Sequence, residues 1–218
     1  MESDIVSAVR ENRVIAIMRG HAGDTCLRLA EALAEGGIRL VEIAFSQSAP
    51  ETWRGTADAI AAIRSRFGGA VRVGAGTVLS EGQLSMCEAA GGEYAIMPNV
   101  NQALVRECVR RGVAAIPGAF TPTEAAEAWD AGASFVKIFP AEPLGPGYIK
   151  ALRAPLSHIP FLAVGGVGPD NIADFLRAGC VGAGVGGSLT NGEWIAAGEW
   201  GRITDAARRL VAAAGVKQ

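Results

Sequence analysis

Eight times along this chain a short apolar run gives way to a longer amphipathic stretch, and that alternation limits the fold more than any other feature. Val14–Met18 precedes Gly23–Glu35, Leu40–Phe45 precedes Glu51–Phe67, and Val71–Val73 precedes Glu81–Ala90. Tyr94–Met97 precedes Gln102–Arg111, and Val113–Ile116 precedes Thr123–Ala131. Phe135–Phe139 precedes Pro146–Leu152, Phe161–Val164 precedes Asp170–Ala178, and Val181–Val185 precedes Trp194–Ala214. The short runs are apolar on both faces, the pattern of strands covered on both sides. Several amphipathic stretches stop at Gly just before the next run, at Gly36-Gly37, Gly112, Gly132 and Gly179, where helix C-termini belong. Ser80 and Asp170 stand where helix N-caps are expected.

Repeated strand–helix units with short links imply a parallel sheet with right-handed crossovers. Eight of them predict closure into a compact (β/α)₈ TIM barrel, built as a single domain over residues 1–218, against roughly 250 residues for a typical barrel. The rival is an open doubly wound sheet. No Gly-x-Gly-x-x-Gly opens the first helix, and eight units exceed what an open sheet commonly holds.

Composition removes several function classes. With 50% hydrophobic and 19% charged residues the chain is not a disordered one. A formal net charge of −2 offers no basic excess for a nucleic-acid backbone. No apolar run approaches the ~18 residues of a membrane span. The start, Met1-Glu2-Ser3-Asp4, is acidic and lacks the layout of a signal peptide. Cys26, Cys87, Cys108 and Cys180 are scattered, as expected of reduced buried thiols in a cytoplasmic protein. His21 and His158 are the only histidines, so a transition-metal site is disfavoured and no metal is expected. Gly is abundant, 29 of 218 residues against ~7% on average, which points to tight turns or close backbone approach to a ligand.

In a barrel, alternate strand residues point inward and function sits at the strand C-termini. Polar residues that interrupt the apolar runs are therefore the candidates. Lys137 lies in Phe135-Val136-Lys137-Ile138-Phe139 and is one of only three lysines, with Lys150 and Lys217. If Val136 and Ile138 face the helices, Lys137 faces the interior. Burial there lowers the amine's pKa and makes it a nucleophile. The bland alternative is a Lys paired with a carboxylate for packing, a poor source of stability. Glu42 interrupts Leu40–Phe45 with the same parity, either as a proton shuttle for carbonyl addition or only as a partner of Lys137 or Arg19. Arg19 ends the first strand, where it either holds a carboxylate or is an exposed rim residue. The Thr77 hydroxyl either meets a ligand or caps the next turn. Pro98 and Pro117 each follow a strand and are expected to stiffen loops at that rim. Gly165-Gly166 and Gly186-Gly187-Ser188 follow the last two strands, the recurrent phosphate site of such barrels.

These residues resemble the 2-keto-3-deoxy-6-phosphogluconate (KDPG) and 4-hydroxy-2-oxoglutarate aldolase family. The resemblance rests on Val73–Val78, Pro98-Asn99, Pro117-Gly118, Lys137-Ile138-Phe139-Pro140, Gly165-Gly166 and Gly186-Gly187-Ser188, in order between Val14 and Ser188. It implies a cofactor-free class I aldolase of sugar-acid breakdown, as in the Entner–Doudoroff route. It also implies a homotrimer acting on a small keto-acid phosphate. Lys137 would form the Schiff base and Glu42 would be the general acid/base. Thr77 with Arg19 would hold the pyruvate carboxylate, Pro98 and Phe139 would wall the pocket, and Gly165, Gly166, Gly187 and Ser188 would bind phosphate. Two positions depart from the gluconate pattern: Ser46 stands where many of those enzymes have Arg, and Val164 where they have Thr. Tyr148–Leu152, after Leu144-Gly145-Pro146, and Ala163–Gly166 look more like the 6-phosphogalactonate (KDPGal) branch and the unspecialised members. Two other readings remain: a phosphate-barrel isomerase, epimerase or synthase without covalent catalysis, and a non-catalytic sugar-phosphate-binding barrel.

Overall fold

The computed structural model describes residues 4–21 and 23–216; the acidic Met1–Ser3 and Lys217 lie outside the described residues. The elements are α1 (Asp4–Asn12), β1 (Val14–Arg19), α2 (Gly23–Glu35), β2 (Leu40–Ala44), a 3-10 turn at Pro50–Thr52, α3 (Trp53–Phe67), β3 (Arg72–Gly76), α4 (Glu81–Ala89), β4 (Tyr94–Ile96) and α5 (Gln102–Arg110). They continue with β5 (Ala114–Ile116), β6 (Gly118–Ala119), α6 (Pro122–Asp130), β7 (Val136–Ile138), α7 (Gly145–Arg153), β8 (Phe161–Val164), α8 (Ile172–Ala178), β9 (Gly182–Val185), α9 (Gly192–Ala196) and α10 (Trp200–Ala213).

The strands are all parallel, in the order β5-β4-β3-β2-β1-β9-β8-β7-β6. β5 and β6 are one stretch of chain divided at Pro117, which has no N–H to give to a ladder. On one side, Met97 N–H donates to the Ile116 carbonyl at 3.0 Å; on the other, Lys137 N–H donates to the Pro117 carbonyl at 2.9 Å. The stretch thus bonds to β4 and then to β7, which closes the barrel of eight strand–helix units. Pro117 sits within this divided strand, not in a rim loop as expected from sequence. Gly118 is required there, because a Cβ would lie 2.5 Å from the Pro98 carbonyl oxygen.

Strand parity sorts the core into two shells. Val41, Ile43, Val73, Ala75, Val136 and Ile138 pack outward against helix residues such as Leu29, Leu33, Ile60 and Ile63. Ile15, Leu40, Tyr94, Ile96, Ile116, Phe135 and Leu162 fill the barrel interior. Ile5 and Val9 of α1 join this inner cluster and plug the end nearest the strand N-termini. Asp4 of α1 is also ion-paired with Arg72 at the start of β3. Burying apolar side chains of this size stabilises by ~1.5–3 kcal/mol each. With that end sealed, the C-terminal end is left for chemistry.

The sequence reading is corrected at four places. It missed α1, a nine-residue helix before the first apolar run whose buried residues Ile5 and Val9 are four apart. The stretch Trp194–Ala214 is two helices, because Gly198 (φ +68) separates α9 from α10. Ser80 does cap α4, accepting from Gln83 N–H at 3.3 Å. Asp170 does not cap α8: Asn171 occupies the cap position, and its side chain instead binds the preceding turn. Pro117, as above, lies inside a strand. Among the described residues no helix is long and apolar enough to cross a membrane.

Candidate active site

Pairing register carries polar side chains to the C-terminal half of the barrel. Glu42 of β2 lies between Ile17 of β1 and Gly74 of β3. Lys137 of β7 lies between Gly118 and Leu162. Both point inward, because their neighbours Val41, Ile43, Val136 and Ile138 belong to the outer shell. The glycines of β3 make room. The Tyr94 ring lies over Gly74, and its hydroxyl donates to the Val41 carbonyl at 2.6 Å. The Glu42 carboxyl lies over Gly76.

Above this floor opens a cavity of about 750 Å³. Every residue expected at the site lines it: Lys137, Glu42, Arg19, Thr77, Pro98, Phe139, Gly165, Gly166, Gly187 and Ser188. Val164 lines it as well. Ser46 lies outside it, in an adjoining groove that shares Arg19 and Thr77 with the cavity. Pro117 is not part of the lining.

Lys137 is 7% exposed and Glu42 only 2%. Among the described residues no ion pair within 4.0 Å joins Glu42 to Lys137 or Arg19, so simple pairing does not explain either group. Glu42 Oε2 is buried with no hydrogen-bond partner. An orphaned buried acceptor costs ~1–3 kcal/mol. Burial pushes the Glu42 carboxyl above the usual carboxylate range, and the charges of Lys137 and Arg19 pull it partly back. Burial pushes the Lys137 amine below its ordinary value; Glu42 opposes that shift and Arg19 adds to it. The two shifts bring an acid and a base towards each other, which eases proton exchange between them and a bound ketone. Lys137 Nζ also stands 4.4 Å from the centre of the Phe139 ring, a contact that favours its charged form. Arg19 is exposed on the rim, facing the same cavity.

Thr77 carries φ +54, a left-handed backbone that is rare for a β-branched residue. Such a conformation costs ~1–3 kcal/mol and persists only where surroundings enforce it. It does not cap α4, since Ser80 does.

The turn after β8 has Gly165 and Gly166 at φ +94 and +76. Asn171 ties it down, with Nδ2 donating to the Gly166 carbonyl and Oδ1 accepting from Gly168 N–H, both at 2.9 Å. The turn after β9 lies alongside, because a Cβ on Gly168 would be 3.7 Å from Ser188 Oγ. Adjacent turns of this kind can present backbone N–H groups to an anion. Sequence reasoning missed Glu142, whose carboxylate lies so close that a Cβ on Gly166 would be 2.2 Å from Oε2. Nothing in its spacing announced this; it merely follows the Lys137–Pro140 block. Asn171, Gln47 and Gln83 were missed too. Among the described residues, no three His, Cys, Asp or Glu side chains gather as a metal site.

Comparison with known proteins identifies the family. The family model "KDPG and KHG aldolase" matches residues 5–206. The chain is 41% identical over 177 residues to the 2-dehydro-3-deoxy-6-phosphogalactonate aldolase of Escherichia coli (strain K12), covering 81% of this chain and 83% of that protein. It is 34% identical over 213 residues to the 2-dehydro-3-deoxy-phosphogluconate aldolase of Treponema pallidum (strain Nichols), covering 97% and 98%. The crystal structure of the KDPG aldolase from Legionella pneumophila, with pyruvate captured as a covalent carbinolamine, superposes with a TM-score of 0.85 at 25% identity, over 96% of this chain and 99% of that one. With a match spanning nearly the whole barrel and relatives well above 30% identity, the chain belongs to the KDPG and KHG aldolase family.

Proposed function

We propose that this aldolase cleaves 2-keto-3-deoxy-6-phospho-sugar acids, KDPG and KDPGal, reversibly to pyruvate and glyceraldehyde 3-phosphate through an imine on Lys137. The observation that carries the reading is a buried inward Lys in the same cavity as a buried Glu whose Oε2 has no partner. The free Lys137 amine adds to the C2 ketone, and Glu42 supplies the proton with which water leaves the carbinolamine. The C3–C4 bond then breaks, its electron pair passes into the iminium to give an enamine, and the C4 hydroxyl proton goes to Glu42. The aldehyde departs. The enamine is protonated at C3, and water hydrolyses the imine to pyruvate and the free amine.

Arg19 and the Thr77 hydroxyl hold the pyruvate carboxylate; Pro98 and Phe139 wall the reacting carbons. Gly165, Gly166, Gly187 and Ser188 take the phosphate. 4-Hydroxy-2-oxoglutarate, which lacks that phosphate, is a poorer substrate. We also infer one domain over residues 1–218, acting in the cytoplasm as a homotrimer. The four buried free thiols support a reducing compartment, and the exposed Leu79 and Phe120 side chains offer apolar material for an interface.

The test is to mix the protein with pyruvate and borohydride and weigh it. One reduced adduct on Lys137, absent from Lys137→Ala and indifferent to EDTA, is expected. An adduct on Lys150 or Lys217, or none, overturns the assignment. Ligand binding without trapping selects a non-covalent enzyme or a binding barrel instead.

A further inference from the structure

Four consecutive residues around Thr77 are each hydrogen-bonded to a neighbouring segment: two to the loop after β2, one to β4 and one to α4. The Gly76 carbonyl accepts from Phe45 N–H at 2.9 Å, and Val78 N–H donates to the Ile96 carbonyl at 3.1 Å. The Thr77 carbonyl accepts from Gln47 Nε2 at 2.7 Å. Leu79 N–H donates to Gln83 Oε1 at 2.7 Å. The two glutamines are themselves joined, Gln83 Nε2 donating to Gln47 Oε1 at 3.1 Å.

Gln83 is fully buried, and its amide spends both its ends on this chain of bonds. Gln47 is exposed, on the loop after β2. That loop is held in turn: Trp53 Nε1 donates to the Ser46 carbonyl at 2.6 Å, and the Trp53 ring meets Phe45 edge-on. The relay therefore bridges the rim from the β2 loop to the β3 loop and on to α4. Among the described residues, it closes on the one cavity-lining residue, other than glycine, with a left-handed backbone.

We propose that Gln47 and Gln83 are positioning residues that hold Thr77 in its left-handed conformation and thereby aim its hydroxyl at the keto-acid carboxylate. The proposal rests on the reading of Thr77 as a carboxylate contact. Strain at a β-branched residue relaxes unless opposed. The Gln47 amide opposes it at the Thr77 carbonyl. Gln83 fixes both that amide and the backbone two residues on. Neither glutamine touches the reacting atoms, so their loss should weaken capture of the keto acid and spare the chemical step.

The probe is pyruvate, and the readouts are its half-saturating concentration and the limiting rate of borohydride trapping on Lys137. Gln47→Ala should raise half-saturation about threefold to tenfold, the effect of one hydrogen bond, with the limiting rate and the melting temperature unchanged. Gln47→Glu, which keeps size but cannot donate to the Thr77 carbonyl, should behave likewise. Gln83→Met should move half-saturation the same way; should that variant not fold, Gln47 still decides the matter. Thr77→Ala should raise half-saturation, and adding Gln47→Ala should change it by less than about twofold, because the two act through one contact. Additive effects, or a Gln47 variant that binds pyruvate normally while Thr77→Ala does not, overturn the relay. Normal binding by Thr77→Ala overturns the carboxylate reading of Thr77 and the relay with it.

Discussion

The carboxyl of Glu42 fills the space that a side chain at residue 76 would need: a Cβ built on Gly76 lies 1.6 Å from Glu42 Oε1. Gly76 closes a regular strand, so the requirement is one of space. Gly76→Ala should therefore displace Glu42 without removing it. Turnover should fall by about 10²–10⁴, the range for losing a positioned acid/base. Overpacking should cost ~1–3 kcal/mol of stability. Steady-state kcat and a thermal melt check both, and a fully active Gly76→Ala would show that the proton shuttle does not depend on where Glu42 lies.

Glu42→Gln removes the proposed proton carrier and leaves the shape. We expect turnover to drop by about 10²–10⁴, and the trapping of pyruvate on Lys137 to slow with it, since dehydration of the carbinolamine needs the same proton. Stopped-flow turnover and timed borohydride quenches measure the two steps. Unchanged turnover would reduce Glu42 to a structural residue.

The alternation of runs and amphipathic stretches made the barrel legible, and strand parity alone put Glu42 and Lys137 on its inner face. The Gly turns stood out as composition anomalies after the last two strands. What was not legible depends on contacts between distant segments. Gln47 and Gln83 are ordinary polar residues 36 positions apart until the fold joins their side chains. Glu142 reads as a surface acid until Gly166 packs beneath it. Asp170 and Asn171 are equally good caps by residue type, and only the turn's need for a partner at Gly166 and Gly168 decides what Asn171 does. Pro117 looked like the end of a strand because its missing N–H forbids an uninterrupted ladder; the barrel uses that gap to change pairing partner.

The pH dependence of imine formation follows from the depressed Lys137 amine. Its ordinary value is 10.5, and burial lowers it. The amine reacts only when neutral, so the rising limb of the trapping rate should lie below 10.5, and a falling limb follows where Glu42, whose proton the dehydration needs, is ionised. Arg19 lowers this value and Glu42 raises it. Arg19→Gln should thus move the rising limb to higher pH, and Glu42→Gln to lower pH. The same shift fixes a sign for stability: between the folded value and 10.5 the unfolded chain binds the extra proton, so this group's contribution improves as pH rises. Trapping rates from pH 6 to 11 in the three proteins measure the limbs. Movement of the rising limb in the opposite direction in either variant would contradict the electrostatic account.

Glu142 sets its carboxylate against the Gly166 turn that should receive phosphate. Two like charges a few ångströms apart in a wet site repel by about 1 kcal/mol. The carboxylate must therefore turn away when a phosphate dianion enters. Glu142→Gln should lower KM for the phosphorylated substrates about threefold to tenfold and leave 4-hydroxy-2-oxoglutarate unaffected. Equal changes for both substrate types would place the effect elsewhere.

Substrate choice separates the contributions of the two ends of the cavity. On the proposed reading the Gly turns and the Ser188 hydroxyl, which line the cavity, take the phosphate away from the bond that breaks, so binding energy gained there can position that bond. Val164 lines the cavity with no hydroxyl, and Ser46 lies outside it in the adjoining groove. Neither supplies the Thr or Arg contact that the gluconate pattern would place at these positions. KDPG and KDPGal should both be cleaved, with neither strongly preferred or the galactonate epimer favoured. 4-Hydroxy-2-oxoglutarate should have a lower kcat/KM than either, and Ser188→Ala should narrow that gap by weakening only the phosphorylated pair. The measurement is kcat/KM for all three substrates with both proteins. A gluconate preference beyond roughly 100-fold, about 2.7 kcal/mol, would mean that some other side chain reads the C4 hydroxyl. Equal efficiency with and without phosphate would remove the role assigned to the two Gly turns.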